Sequence, residues 1–307
     1  MSQLLRFPAE WEPQSAVLLA WPHEGTDWAD RLAQVEQTYV GLVAAITRFQ
    51  PALVCVAGPA LRERAAAQLG SAGVDMSRVR FFEVDYDDTW LRDSGPITLR
   101  EGPGFRLLDF HFTAWGGKFE AGRGTLLSTW RCLHERHPGK SRVEITALLE
   151  AELVQSRTLW LDHGYLEGDD TDAHIDTLAR FAAPDAIVFQ ACDDPDDSHY
   201  AELQAMAAEL AALRTADGQP YRLFPLPWAR PVLDEGRRLA ASYANFLIIN
   251  DAVLMPAYGD AADGAAAQVL AEAFPGREIV PVNCRPLIWQ NGSLHCVTMQ
   301  LPEGLLA

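Results

Sequence analysis

Ser15-Ala-Val-Leu-Leu-Ala-Trp21 is followed by Leu32 to Phe49, with apolar residues at helical spacing, and then by Ala52-Leu-Val-Cys-Val-Ala57. A short apolar run reads as a strand buried on both faces, and the stretch between two such runs as the helix that crosses over between them. The alternation continues outward. Leu61 to Leu69 reads as an Ala-rich helix, Arg80 to Val84 and Phe105 to Phe112 as strands, Val143 to Leu153 as a helix and Thr158 to Leu161 as a strand. Ala186 to Gln190 and Tyr221 to Leu226 are strands flanking a long helix, His199 to Arg214. Asn245 to Ile249 and Ala252 to Met255 form a hairpin around Asn250-Asp251, Ala261 to Phe274 is a helix, and Glu278 to Val282 and Leu294 to Gln300 are strands. Roughly four strand–helix–strand units can be counted, without clear sequence repetition, so the fold class is α/β.

No Pro/Ser-rich linker divides the 307 residues, which are expected to form a single catalytic domain, 1–307. A formal net charge of -17 argues against nucleic acid and anionic membrane surfaces as partners and favours a cationic one. The five cysteines are odd in number and form no C-x-x-C pair. The N-terminus lacks the apolar run of a signal peptide, and no stretch is long and apolar enough to span a membrane. A cytoplasmic location is expected, where a free thiol survives.

Three segments hold the groups that could do chemistry: Trp90-Leu-Arg-Asp93-Ser-Gly-Pro96, Asp172-Ala-His174-Ile-Asp176-Thr177 and Asn291-Gly-Ser-Leu-His-Cys296. Each has a bland reading. Cys296 alone reads as a core cysteine, His174 as a member of a solvated acidic loop, and Asp93 as a cap or surface ion pair. The Asn-Gly turn before Cys296 favours backbone crowding around a ligand. If Leu294 to Met299 is a regular strand, His295 and Cys296 point to opposite faces and share no pocket. On an extended segment His174 and Asp176, two apart, share a side. Trp115, beside Gly116-Gly117, is either core packing or a cleft wall that meets a cationic chain.

Together the residues suit a guanidinium group. That cation is resonance-stabilised and a poor electrophile, so carboxylates must fix it bidentately. A thiolate can then attack its central carbon while a histidine moves the protons. A free cysteine is only a few per cent thiolate at pH 7, so its surroundings must favour ionisation.

On these motifs, with Ala114-Trp-Gly-Gly-Lys118, Gly124 to Leu133, Ala173 to Phe181 and Ser242-Tyr-Ala-Asn245, the chain resembles the agmatine deiminase and bacterial-type peptidyl-arginine deiminase family of the pentein superfamily. Ordered matches run from about Ala9-Glu-Trp11 to Gln300. The resemblance implies a five-bladed ββαβ propeller with the site on its axis. It implies a covalent thiouronium on Cys296, His174 as general acid and then base, and Asp93 and Asp176 gripping the guanidinium. It extends the substrate site to Asp88, Trp90 and Trp115. The implied reaction turns agmatine and water into N-carbamoylputrescine and ammonia, with no metal and no organic cofactor, and the implied partner is a small cationic guanidino compound. Many members of the family form homo-oligomers, which these residues do not decide. One departure stands out: only Phe119 to Arg123 separate Lys118 from Gly124, where the family carries a longer stretch with a Glu-Gly-Gly element.

Three alternatives compete. A peptidyl- or free-arginine deiminase would need a cation, such as Arg92 or Arg131, for the substrate's carboxylate or backbone. A metal-dependent oxygenase built on His174, Asp176 and His295 fits the α/β alternation poorly. An inactive binding module of the same fold would have no reason to keep all four reactive side chains.

Overall fold

The computed structural model describes residues 5–110, 119–168 and 173–306. The opening run forms the strand Gln14–Ala20, which crosses through the helix Leu32–Thr47 to Ala52–Val56 and then through Pro59–Ser71 to Val79–Glu83. These three strands pair in parallel. The strand Thr298–Pro302 joins the sheet antiparallel to Gln14–Ala20, so residues near both chain ends share one sheet.

Three more sheets follow one plan, in which an antiparallel pair is extended by a parallel strand after a helical crossover. They are Glu120–Ala121, Thr125–Thr129 and Arg157–Leu161; Ala179–Ala183, Ala186–Gln190 and Arg222–Leu226; and Leu247–Ile249, Ala252–Ala257 and Glu278–Asn283. The crossovers are Trp130–Arg136 with Arg142–Glu152, then Tyr200–Ala212, then Asp263–Ala273. A fifth sheet, of Leu5–Arg6, Ile97–Glu101 and Gly104–Leu108, is antiparallel throughout. The class is α/β, as expected.

The helices hold neighbouring sheets together. Leu32–Thr47 buries Val35, Tyr39, Leu42, Val43 and Ile46 along one face and packs on its own sheet and on Glu278–Asn283 of the next. Asp263–Ala273 likewise touches both Glu278–Asn283 and Arg222–Leu226. Polar side chains stitch the same seam. Gln14 donates to the Ile248 carbonyl, Gln50 donates to Gln14, and the Asn250 side chain donates to the Gln14 carbonyl, at 2.8–3.0 Å. The expected hairpin forms with Ile249 opposite Ala252, and Asp251 takes a left-handed φ of 59° at the turn.

One expected element differs. The last strand starts at Thr298, and residues 294–297 form a turn instead. There the Val297 N–H donates to the Ser293 carbonyl at 3.3 Å, and the Thr298 hydroxyl donates to the Leu294 carbonyl at 3.0 Å. The chain is redirected by Asn291, at a left-handed φ of 68°, and by Gly292. Gly292 is crowded by protein rather than ligand: a Cβ there would lie 2.1 Å from the Trp90 ring. Gly292→Ala is therefore expected to cost about 1–3 kcal/mol by overpacking, read as a lower urea midpoint, and to displace the turn that carries Cys296. An unchanged midpoint would show that the Trp90 ring yields.

Candidate active site

The turn created by Asn291 and Gly292 brings His295 and Cys296 to one place, where a regular strand would have separated them. The Cys296 sulfur lies 3.4 Å from Asp176 Oδ2, and His295 Nδ1 lies 2.7 Å from the same oxygen. His174 Nδ1 is 2.7 Å from Asp176 Oδ1. His174 and Asp176 meet on the 3-10 turn Ile175–Thr177 rather than on an extended segment. Ala173 enters that turn at φ 64°, its carbonyl accepting from Thr129, and the His174 carbonyl accepts from the Thr177 hydroxyl at 2.8 Å. Asn245 completes the surroundings of the thiol, its side-chain nitrogen 3.3 Å from the sulfur and its side-chain oxygen accepting from the His295 N–H.

Asp93 lies in the short helix Leu91–Ser94, and the Arg92 N–H beside it donates to the Cys296 carbonyl at 3.1 Å. Asp93, His174, Asp176 and His295 line one cavity of about 470 Å³. Cys296 is 3% exposed, its sulfur lying against Asp176, which lines the cavity. Asp88 and Trp90 are not among its described wall residues. Trp90 packs against the Trp28 ring at 5.6 Å and against Gly292, and Asp88 accepts from the Thr89 N–H at 2.7 Å. Trp115 lies outside the described residues.

Behind the reactive groups is a charged layer that the motifs did not single out. Arg180, 0% exposed, donates to Glu120 and to Glu10 at 2.5 Å each and to the Phe246 carbonyl at 2.7 Å. Glu10 also faces Arg92 at 3.2 Å and His295 Nε2 at 3.0 Å, and accepts from Gln300 at 3.0 Å. The signals for this layer were faint. Arg180 interrupts the apolar run Leu178-Ala-Arg-Phe-Ala182, Glu10 opens the region of resemblance, and Glu120 stands in the shortened stretch.

The environment sets the charges. Burial opposes ionisation of Asp176, but the neighbouring His174 and then His295 outweigh it and hold the carboxyl well below its usual range. Glu10 is likewise kept low against its burial by His295, Arg180 and Arg92. Burial, with Arg180 and Arg92, pushes the His295 imidazole down, against the pull of Glu10 and Asp176. Burial, with Glu10 nearby, pushes the Glu120 carboxyl up to about 8 against the pull of Arg180 and Arg92, so Glu10 and Asp176 are the carboxyls held ionised beside those two guanidinium groups. Arg92 is engaged by Glu10 and Gln300, and Arg131 is a surface residue paired with Glu135.

The profile of the Porphyromonas-type peptidyl-arginine deiminase family matches residues 6–122 and 120–302. Agmatine deiminase of Stutzerimonas stutzeri is 32% identical, the match covering 96% of this chain and 95% of that protein. A substrate-bound cysteine-to-serine variant of C. jejuni agmatine deiminase superposes with a TM-score of 0.90 at 32% identity, over 98% of this chain and 97% of that one. A solved structure of Enterococcus faecalis agmatine deiminase catalysing its reaction gives 0.87 at 27% identity over 97% of this chain and 96% of that one. The alignment with the Stutzerimonas protein runs over 355 positions, and 355 against 307 residues leaves at least 48 of them without a counterpart here. The profile match breaks at 120–122, beside the shortened stretch.

A carboxyl held ionised below its unfolded value stabilises the fold in full above pH of about 4 and loses that contribution as pH falls through the folded value. Asp176→Asn should therefore flatten the loss of stability on acidification below about pH 4, read from urea midpoints between pH 2 and 7. An acid limb that superimposes on that of the unaltered protein would mean that Asp176 is not held low.

Proposed function

This chain belongs to the Porphyromonas-type peptidyl-arginine deiminase family, and from that premise we propose that it hydrolyses the guanidino group of agmatine to give N-carbamoylputrescine and ammonia. It is a hydrolase of C–N bonds in linear amidines. The observation that carries the site assignment is the meeting of Cys296, His174 and Asp176, whose reactive atoms all lie within 4.8 Å of one another although the segments are far apart in sequence.

In the proposed mechanism Asp93 and Asp176 hold the planar cation, and the Cys296 thiolate attacks its central carbon. His174 gives a proton to the departing nitrogen, and ammonia leaves a thiouronium bonded to sulfur. His174 then takes a proton from water, the resulting hydroxide adds to the same carbon, and collapse to the urea expels the thiolate. Asp176 touches both the imidazole and the sulfur, which supports its place between them. His295 and Asn245 are positioning residues in this scheme, His295 through Asp176 and Asn245 through the sulfur and the His295 backbone. The substrate-bound cysteine variant of the C. jejuni protein supports the same division between binding and attack.

Agmatine is favoured over arginine by the state of Arg92. An arginine substrate brings a carboxylate that needs a cation; Arg92 is already engaged by Glu10 and Gln300, while Lys140 is a further cation on the cavity wall. We infer one cytoplasmic catalytic domain with a five-bladed plan, in which the antiparallel sheet of Ile97–Glu101 with Gly104–Leu108 is a shortened blade. The shared sheet of Gln14–Ala20 and Thr298–Pro302 supports a single closed body. Among the described residues no helix is long and apolar enough to cross a membrane.

Cys296→Ala is expected to abolish ammonia release from agmatine while retaining the urea midpoint, and protein quenched during turnover should carry an adduct on the peptide containing Cys296. Normal turnover by that variant, or an adduct elsewhere, would overturn the nucleophile assignment. Arginine and an arginyl peptide, run beside agmatine, should be turned over more slowly; a faster arginyl peptide would reverse the choice of substrate.

A further inference from the structure

Val232–Asp234 and Arg237–Leu239 pair antiparallel and, among the described residues, take no third strand. Their turn, Glu235-Gly236, has φ 50° and 82°, the positive values that a two-residue hairpin demands. A lone two-stranded ribbon is marginal in water, so its place is set by what its side chains hold. Neighbouring side chains on a strand point opposite ways, and Arg237 and Arg238 accordingly reach different partners.

Arg237 Nη1 donates to the Asn291 side-chain oxygen at 2.7 Å, and Nη2 donates to the Trp289 carbonyl. Asn291 is the left-handed residue that turns the chain toward Cys296. On the paired strand Asp234 accepts at 2.7 Å from Arg31, whose guanidinium lies 4.0 Å from the centre of the Trp289 ring. Arg238 instead donates to both oxygens of Asp197, at 2.6 Å and 3.2 Å. Asp197 accepts from His199 Nδ1 at 2.7 Å, and His199 Nε2 accepts from the Glu167 N–H at 2.6 Å. An imidazole that accepts at Nε2 carries its proton on Nδ1, so Asp197 fixes the tautomer that Glu167 needs. Gly168 lies against the ribbon itself: a Cβ there would stand 2.3 Å from the Arg238 carbonyl. Leu166, one residue before Glu167, is buried in the same apolar cluster as Ala173 and Ile175, which flank His174.

We propose that this ribbon is a positioning clamp that holds the two catalytic turns at their working separation. Arg237 secures the Asn291 turn that carries Cys296. Arg238, through Asp197 and His199, secures the shoulder of the turn that carries His174 and Asp176. The roles of Cys296, His174 and Asp176 are those of the deiminase reading, on which the clamp's catalytic meaning rests. Both arginines stand on one short strand, so freeing either end of the ribbon loosens the other. They are positioning residues, acting through the turns they hold.

Hydrogen exchange and alkylation of the whole chain read the clamp without turnover. In Arg237→Ala, at an exposed position, the Glu167 amide should exchange at least about threefold faster, although the lost side chain faces Asn291. In Arg238→Ala, Cys296 should react with iodoacetamide at least about threefold faster, followed on its own peptide by mass spectrometry. Arg237→Lys and Arg238→Lys each keep a donor and should return these rates toward those of the unaltered protein. With agmatine, Arg237→Ala should lose about 10- to 100-fold in kcat while KM stays within about threefold, as expected of a displaced nucleophile. The double substitution should cost less than the product of the single losses, since one release already frees the ribbon. Effects confined to the near side of each arginine, an unchanged kcat in Arg237→Ala, or single losses that multiply would each overturn the clamp. Should Arg238→Ala not fold, Arg237→Ala decides alone, by exchange at Glu167. A protein that shows the far-side effects but releases no ammonia from agmatine would count against deimination alone.

Discussion

Everything at the site is arranged around one buried guanidinium, that of Arg180. It has no contact with water, and it is satisfied by Glu120, Glu10 and the carbonyl of Phe246, over whose ring it also lies at 4.8 Å. A charge in that position is tolerable only with partners on every side. The partners come from the N-terminal segment, from the strand Glu120–Ala121 and from the approach to Leu247–Ile249, so satisfying one side chain fixes three remote stretches of chain. Glu10 passes the constraint on. Held by Arg180 and Arg92, it meets His295 Nε2, and His295 Nδ1 meets Asp176. The carboxylate next to the thiol is thus tied, through Glu10 and His295, to an arginine in the strand Ala179–Ala183 that directly follows its own turn.

Much of the architecture was legible in the sequence because buried strands and crossover helices carry strong periodic signals. The strand Ala186–Gln190 has the expected ends, and the helix Leu32–Thr47 and the hairpin at Asn250-Asp251 stand where periodicity and turn chemistry place them. The weaker elements were not legible. Glu120–Ala121 is two residues long, and Ala179–Ala183 contains the arginine that makes it look unlike a buried strand. Arg180 breaks the local rule because its cost is offset by contacts more than fifty residues away, which no local pattern can contain.

The site shows the same division. The reactive types at Cys296, His174 and Asp176 could be read from chemistry, but their mutual placement could not. Alternation along a strand would have set His295 aside; the left-handed Asn291 and the glycine pressed against Trp90 instead make a turn that gives both His295 and Cys296 to Asp176. Trp90 itself is assigned to the substrate site by the resemblance. Its packing on Trp28 and Gly292 shows how an aromatic residue in a functional motif can serve the shape of the neighbouring turn, two segments away from the chemistry it supports.

His295 raises a proton-counting problem that bears on catalysis. Both of its ring nitrogens face carboxylates, and a neutral imidazole has one N–H to offer. Burial and two neighbouring guanidinium groups favour the neutral ring. One contact must then lack its proton unless the ring is charged. In the proposed scheme a guanidinium held by Asp176 brings positive charge and N–H donors of its own, which favours the other His295 tautomer, with its one N–H on Nε2 toward Glu10. That scheme would couple the cation to the hydrogen-bond state of the buried layer through Asp176, which touches both the Cys296 sulfur and the His174 imidazole.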